Sequence, residues 1–249
     1  MSDEVKERIL IYPPGHPYLI TIYILIAIIV SMTASSTLAA IIADFGGFKY
    51  TIAAYIVAYL IFLSPILSFI NIVITTLRTG YVEKVLELEY ATIFGIPVPI
   101  PRVRLVERKS LLALNVGGGL VPILASIIIM AVLWKGAGTY GVMVTLLAIF
   151  ATSGVTFLTS KTIPGVGIAV PALIPPLASA LTVMLVTNGG PVAALSAYVG
   201  GSLGSLIGAD VLRFTKDLDK LVAPVISIGG AGVFDGVFLS GIIAAFLVY

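Results

Sequence analysis

The sequence predicts an all-α polytopic membrane protein of about seven transmembrane helices, several with broken or re-entrant starts, plus a small cytoplasmic β-hairpin. Three observations carry this expectation. Of 249 residues, 59% are hydrophobic and only 10% charged, with a mean hydropathy of +1.15; a soluble domain of that size needs far more polar surface. Uncharged apolar runs recur at about the 20-residue length that a bilayer core asks of a helix. When these runs alternate across a membrane, the basic residues collect on one side of it.

The runs follow in order. Residues 18–43 lie between His16 and Asp44, and residues 51–77 between Lys49 and Arg78. Residues 111–134 and 139–159 make a third and a fourth. From Thr162 to Ala209 there is no charge, which is room for two spans, 163–187 and 191–212, divided by the turn signal "NGGP". Residues 224–248 make the seventh. The first run follows Lys6 and Arg8 and is longer than a secretory signal core, so it reads as a span. The whole is one transmembrane domain, residues 1–249.

With seven alternating spans, Lys6, Arg8, Arg78, Lys84, Arg102, Arg104, Arg108, Lys109, Lys161, Arg213, Lys216 and Lys220 share a side. Only Lys49 and Lys135 fall opposite. The positive-inside rule then predicts a plasma-membrane protein with a cytoplasmic N-terminus and an external C-terminus.

One insertion, residues 78–110, is polar enough to fold outside the bilayer. "VLELEYATI" sets Leu86, Leu88 and Tyr90 against Glu87 and Glu89; "PRVRLVER" sets Val103 and Leu105 against Arg102 and Arg104. Between them "FGIPVPIP" suits a turn or a strand edge. The expectation is a hairpin whose Glu and Arg residues pair across strands.

Three spans begin with poor helix formers: "LNVGGGLVP" from Leu114, "IPGVGIAVPALIPP" from Ile163 and "PVISIGGAGVFDG" from Pro224. Glycine costs about 1 kcal/mol and proline about 3 in a helix interior. Lipid cannot satisfy freed backbone groups, so these starts are expected to face protein or a watery cavity. "NVGGGLVP" and "SIGGAGVFD" also hint at a weak internal repeat. Asn115, Gly117, Gly118, Pro171, Ala172, Leu173, Gly229, Gly230 and Gly232 are the candidate cavity-lining residues.

The chain has no cysteine, and its single histidine, His16, precedes the first span, which argues against a disulfide framework and a histidine zinc site. No metal or cofactor is expected, and no nucleic acid. The candidate catalytic residues are two acids, Asp210 and Asp235. Asp210 lies three residues before Arg213, with which an interfacial ion pair is the bland alternative. Asp235 lies eleven residues past Pro224, roughly 16 Å along a regular helix. Membrane-embedded acids are functional by default. Two of them held close share one proton, so that one can activate water while the other protonates a leaving group.

Over the C-terminal half, "NVGGGLVP", "PGVGIAVPALIPP", "GSLIGADVL" and "GGAGVFDGVFLSG" resemble an uncharacterised family of archaeal and bacterial polytopic membrane proteins, the domain of unknown function 1614 family. In its chemistry the chain also resembles the GxGD-type intramembrane aspartyl peptidases of the presenilin and preflagellin-peptidase kind. That resemblance implies Asp235 behind Gly230 and Gly232 as the glycine-flanked aspartate, Asp210 as its partner, and Pro171, Ala172 and Leu173 as the Pro-Ala-Leu element. The spacing here is G-x-G-x-x-D, and Pro-Ala-Leu precedes both acids where presenilins place it after them. Three functions follow as expectations: hydrolysis of membrane-embedded peptide bonds, a proton- or cation-coupled transporter or channel for an ion or solute, and a non-catalytic scaffold. Membrane lipid is the expected partner in each.

Overall fold

The structure is a computed structural model that describes residues 8–11, 17–93, 96–163, 167–230 and 236–249. Helix dominates it. In order come β1 (Ile9–Ile11), α1 (Pro17–Gly46), α2 (Thr51–Leu67), β2 (Ile70–Ile93), β3 (Ile96–Asn115) and α3 (Val121–Thr159). Then follow β4 (Lys161–Ile163), β5 (Gly167–Ala169), α4 (Ile174–Val186), α5 (Pro191–Ser205), a π-helical segment Leu206–Arg213, the short α6 (Phe214–Lys216), β6 (Val225–Ile228) and α7 (Gly236–Val248).

Three stretches are long and apolar enough to cross a membrane: Thr21–Leu67, Val116–Thr159 and Pro191–Lys216. Two further apolar helices, α4 and α7, have 13 residues each, about 20 Å at 1.5 Å per residue. Seven separate spanning helices are therefore not what the chain forms, and the reasons are local. The runs at 139–159 and 111–134 belong to one 39-residue helix, bent where Gly138 takes φ 60° and ψ −145°, a left-handed conformation that glycine adopts at little cost. The runs 51–77, 111–134, 163–187 and 224–248 lose their sheet-proximal residues to β2, β3, the β4–β5 pair and β6. Apolar runs of strand and helix look alike by composition, and β-branched residues such as Ile70, Ile72 and Val73 favour strand where a pairing partner exists.

The four-stranded sheet has the order β1-β2-β3-β6. β2 and β3 pair antiparallel from Asn71↔Asn115 out to Ile93↔Ile96, so the hairpin expected at 78–110 is the outer part of a longer ribbon. Its expected cross-strand ion pairs are present: Arg102–Glu89 at 2.8 Å, Arg104–Glu87 at 3.3 Å and Arg108–Glu83 at 2.5 Å. β6 adds to β3 in parallel, Leu111↔Val225 to Leu114↔Ile228.

The bundle has an apolar core that includes Leu38, Ile61, Ile129 and Leu195, and it is apolar on the outside as well. Ile22, Leu25, Ile29 and Met32 on α1, and Ile52, Tyr55 and Tyr59 on α2, are exposed. Ser126, Thr145, Thr152, Ser179, Ser196 and Ser202 have no exposure at all. Helices in lipid gain nothing by hiding leucine; they associate through small and hydroxylated residues that let backbones approach. The central α5 shows this best. A Cβ at Gly200 would sit 2.5 Å from that of Ala148, and one at Gly204 would sit 2.5 Å from that of Thr152. Thr145 donates to Ser196 at 2.9 Å and Ser179 donates to the Ala197 carbonyl at 2.8 Å.

Candidate functional site

At the sheet-bearing end of the bundle, helices give way to strands and turns, and the freed backbone groups need partners. Two glycine-rich helix starts meet there. In the first, β3 ends at Asn115, whose side chain caps the π-helical turn Val116–Leu120 by accepting the Gly118 N–H at 2.7 Å. The amide of Asn115 donates to the Ser68 carbonyl at 2.6 Å and to Asn71 Oδ1 at 3.1 Å. Ser227 Oγ donates to the same Asn71 oxygen at 2.6 Å. Asn71 and Asn115 are both fully buried. Gly117 lies flat on the backbone of Ser64 and Ser68, where a Cβ has no room, and its carbonyl accepts from Ser64 Oγ at 2.8 Å.

In the second, β6 turns at Gly229 and Gly230, which have φ of 80° and 84°. The Gly229 N–H donates to Asp210 Oδ2 at 2.6 Å. Asp210 projects from the π-helical segment Leu206–Arg213 that continues α5; such widened turns recur at functional sites. Arg213 is not the partner of Asp210. It reaches Asp217 at 3.5 Å, donates from Nε to Ser160 Oγ at 3.1 Å and bonds the Ser160 carbonyl. The bland alternative for Asp210 thus gives way to a carboxylate bound to a turn of another element.

Asp210 lies in the wall of a cavity of about 210 Å³ lined by Ile168, Val170, Ala172, Pro175, Ser205, Ala209, Gly236 and Val237. Ser205 Oγ is buried there without a hydrogen-bond partner among the described residues. Among the residues expected from sequence, the lining holds Asp210 and Ala172. Pro171 accepts the Ile174 N–H at 3.1 Å and Leu173 precedes α4; both are exposed and outside the lining. Asn115, Gly117 and Gly118 pack on α2 instead, and Gly229 and Gly230 form the turn that holds Asp210. Gly232 and Asp235 lie outside the described residues; Gly236, in the lining, is the next residue in the chain after Asp235. Among the described residues no cluster of His, Cys, Asp or Glu could hold a metal.

Sequence reasoning misses Ser205 and the β4–β5 pair, whose Ile168 closes one wall. Asn71 is a polar group in an apolar run, and nothing in the sequence shows that it meets Asn115. Asp217, set among charged residues, gives no sign of its role in the sequence either. Asp217 lies just past the membrane-length stretch, 7% exposed in its side chain. Lys220 Nζ donates to it at 2.8 Å and Thr162 Oγ1 at 2.9 Å. Those two bonds, with the charges of Lys220 and Arg213, hold its carboxyl below the usual carboxylate range. The acid ties the end of α6 to β4, whose partner strand β5 carries Ile168 of the cavity wall.

A protein family described as "Protein of unknown function (DUF1614)" matches residues 66–247. The chain belongs to that family. No curated protein and no solved structure matches the chain. The DUF1614 match covers β2 through α7, so it takes in the ribbon, both glycine-rich starts, Asp210 and Asp235. It carries no likeness to aspartyl peptidases, and that second resemblance has no support.

Proposed function

We propose that this DUF1614 protein binds a proton or small cation at the Asp210 cavity and moves it across the membrane. The observation that carries this reading is the cavity's size and chemistry together. A volume of about 210 Å³ holds roughly seven waters at about 30 Å³ each. It falls short of the roughly 300–1,000 Å³ of drug-sized ligand pockets and of what an extended peptide fills. Its wall carries the Asp210 carboxylate and the buried Ser205 hydroxyl at the place where helices are interrupted. Interrupted helices with a membrane acid are the arrangement through which coupled carriers hold ions.

The reading includes a cytoplasmic N-terminus and a Val116–Thr159 stretch that crosses twice. Val116–Thr159 has 44 residues, about 66 Å if straight, against a bilayer core of about 30 Å. A bend at Gly138 lets the stretch cross twice. Two contacts support it: Gly136, before the bend, sits against Phe45 and Tyr50 near the α1–α2 connection, and Tyr140, after it, donates to the Val186 carbonyl at the end of α4. The other glycine-flanked acid, Asp235, precedes a lining residue and would complete the site.

The test uses the full chain in sealed vesicles carrying an internal pH dye and an imposed potential. Proton or alkali-cation flux is expected from the native chain and is lost in Asp210→Asn and Asp235→Asn. Flux that survives both substitutions, or its absence from the native chain, overturns the reading.

A further inference from the structure

The outer ribbon of β2 and β3 has two unlike faces. On one, Glu83, Glu87 and Glu89 pair with Arg108, Arg104 and Arg102, so its charge is neutralised within the ribbon. On the other, Val82, Leu86, Leu88 and Tyr90 from β2 stand beside Val103 and Leu105 from β3, by the register Leu86↔Val103 and Lys84↔Leu105. These six side chains are 56–72% exposed. Contiguous exposed apolar surface of this kind marks an interaction site, and a two-stranded ribbon is marginal without something on its face. The apolar face also carries Lys84 and Lys109, neither of which has an ion-pair partner among the described residues, with Glu107 near its base.

We propose that this face rests on the anionic headgroup layer of the membrane that holds the bundle. Three features choose lipid over another occupant. Apolar side chains flanked by unpaired lysines and a tyrosine match the boundary between headgroups and acyl chains, where lysine stems lie along apolar surface and their ammonium groups reach phosphate. A second copy laid face to face would bring two sets of Lys84 and Lys109 into one apolar interface, which like charges oppose. The ribbon also leaves the bundle directly, β2 starting three residues after α2 and β3 ending one residue before the stretch Val116–Thr159. The headgroup layer is therefore always within reach. The register breaks between Thr76 and Gly80, where three residues of β2 face one of β3; a bulge of this sort bends a ribbon and can lay it along the surface.

The inference rests on a membrane location, which flotation of the reconstituted chain with vesicles tests separately. The native chain has no cysteine, so Leu86→Cys and Val85→Cys place a nitroxide on neighbouring residues of opposite faces. In the full chain in phosphatidylcholine vesicles containing phosphatidylglycerol, accessibility to oxygen is compared with accessibility to a water-soluble nickel complex. The oxygen-to-nickel ratio is expected to be about threefold or more higher at position 86 than at 85, and to fall when Lys84→Glu and Lys109→Glu are added. Equal, water-like ratios at both positions overturn the proposal. So does spin–spin broadening at position 86 that dilution with unlabelled protein removes, because it shows a second copy on that face.

Discussion

The two glycine-rich helix starts solve one problem in two ways. Both leave strands of one sheet, β3 and β6, which run parallel, and both lead into an apolar helix. They touch back to back: a Cβ on Gly229 would sit only 2.4 Å from the Gly119 backbone and 2.7 Å from that of Gly118. At the first start the freed N–H of Gly118 is taken by the neutral side chain of Asn115 in the same turn. At the second the freed N–H of Gly229 is taken by a carboxylate from a different helix. The first solution is fully buried and uses a neutral side chain. The second brings a titratable group to a cavity and couples β6 to the end of α5. The two starts thus differ in what takes their freed N–H, an amide oxygen of the same turn at one and a carboxylate of another element at the other.

That comparison is broken most severely at the point of contact. Gly229→Ala sets a methyl group against the Gly118–Gly119 backbone, which no rotamer change relieves, at a φ of 80° that alanine disfavours. The expected loss is about 4 kcal/mol or more, read as failure to recover a monodisperse protein in detergent or as a collapse of its thermal midpoint. Asn115→Ala comes next. It removes the cap on Gly118 and two donated bonds from a fully buried site, at an expected cost of about 2–4 kcal/mol. Asp210→Ala removes the bond from the Gly229 N–H, whose loss is expected to cost about 1.5–3 kcal/mol. Asp210→Asn keeps an acceptor for the Gly229 N–H and should cost less than half as much. If Asn115→Ala and Asp210→Asn prove equally destabilising, the two starts do not differ in the way described.

Much of the sheet-bearing end is legible in the amino-acid order, and the gaps have physical causes. The ribbon follows from alternation, because a period of two survives in the sequence wherever one face is polar, as with Glu87 and Glu89 against Leu86 and Leu88. Glycine and proline mark the helix starts at Leu114, Ile163 and Pro224 as irregular. What they become is hidden, since "INIVITT" and "LLALN" are apolar on both faces and carry no period by which strand differs from buried helix. Asp210 stands out as an acid in an apolar run. Its partner does not, because a backbone N–H leaves no trace in composition; the side chain three residues on, Arg213, looks the obvious choice and is committed to Asp217 and Ser160. Ser205 is one hydroxyl among many in a helix whose small residues serve close packing.

Asp217 sharpens the contrast through pH. Its carboxyl lies below the ordinary value of 3.8, chiefly through the bond from Lys220 and then that from Thr162. A depressed folded value means that the stabilisation is fully present above the unfolded value and is lost as pH falls through the folded one. Below about pH 4 the thermal midpoint of the native chain should therefore drop faster than that of Asp217→Asn, and the two should converge once both carry a neutral side chain there. Parallel curves would mean that the tie between α6 and β4 adds nothing.

The smallest effect belongs to the ribbon's charged face. Glu87→Gln breaks the pair with Arg104, in which the two side chains are 51% and 68% exposed. Water screens such a pair and long side chains lose entropy in making it, so the expected change is within about 0.5 kcal/mol, at the limit of a detergent melt. Asn115, which carries no charge, should cost several times more for the same kind of deletion, because nothing near it can replace the bonds it makes. A loss at Glu87 comparable to that at Asn115 would mean that the charged face is covered in the intact protein, and the ribbon's two faces would then have to exchange roles: the ion pairs against a surface, and Leu86, Leu88 and Tyr90 against water.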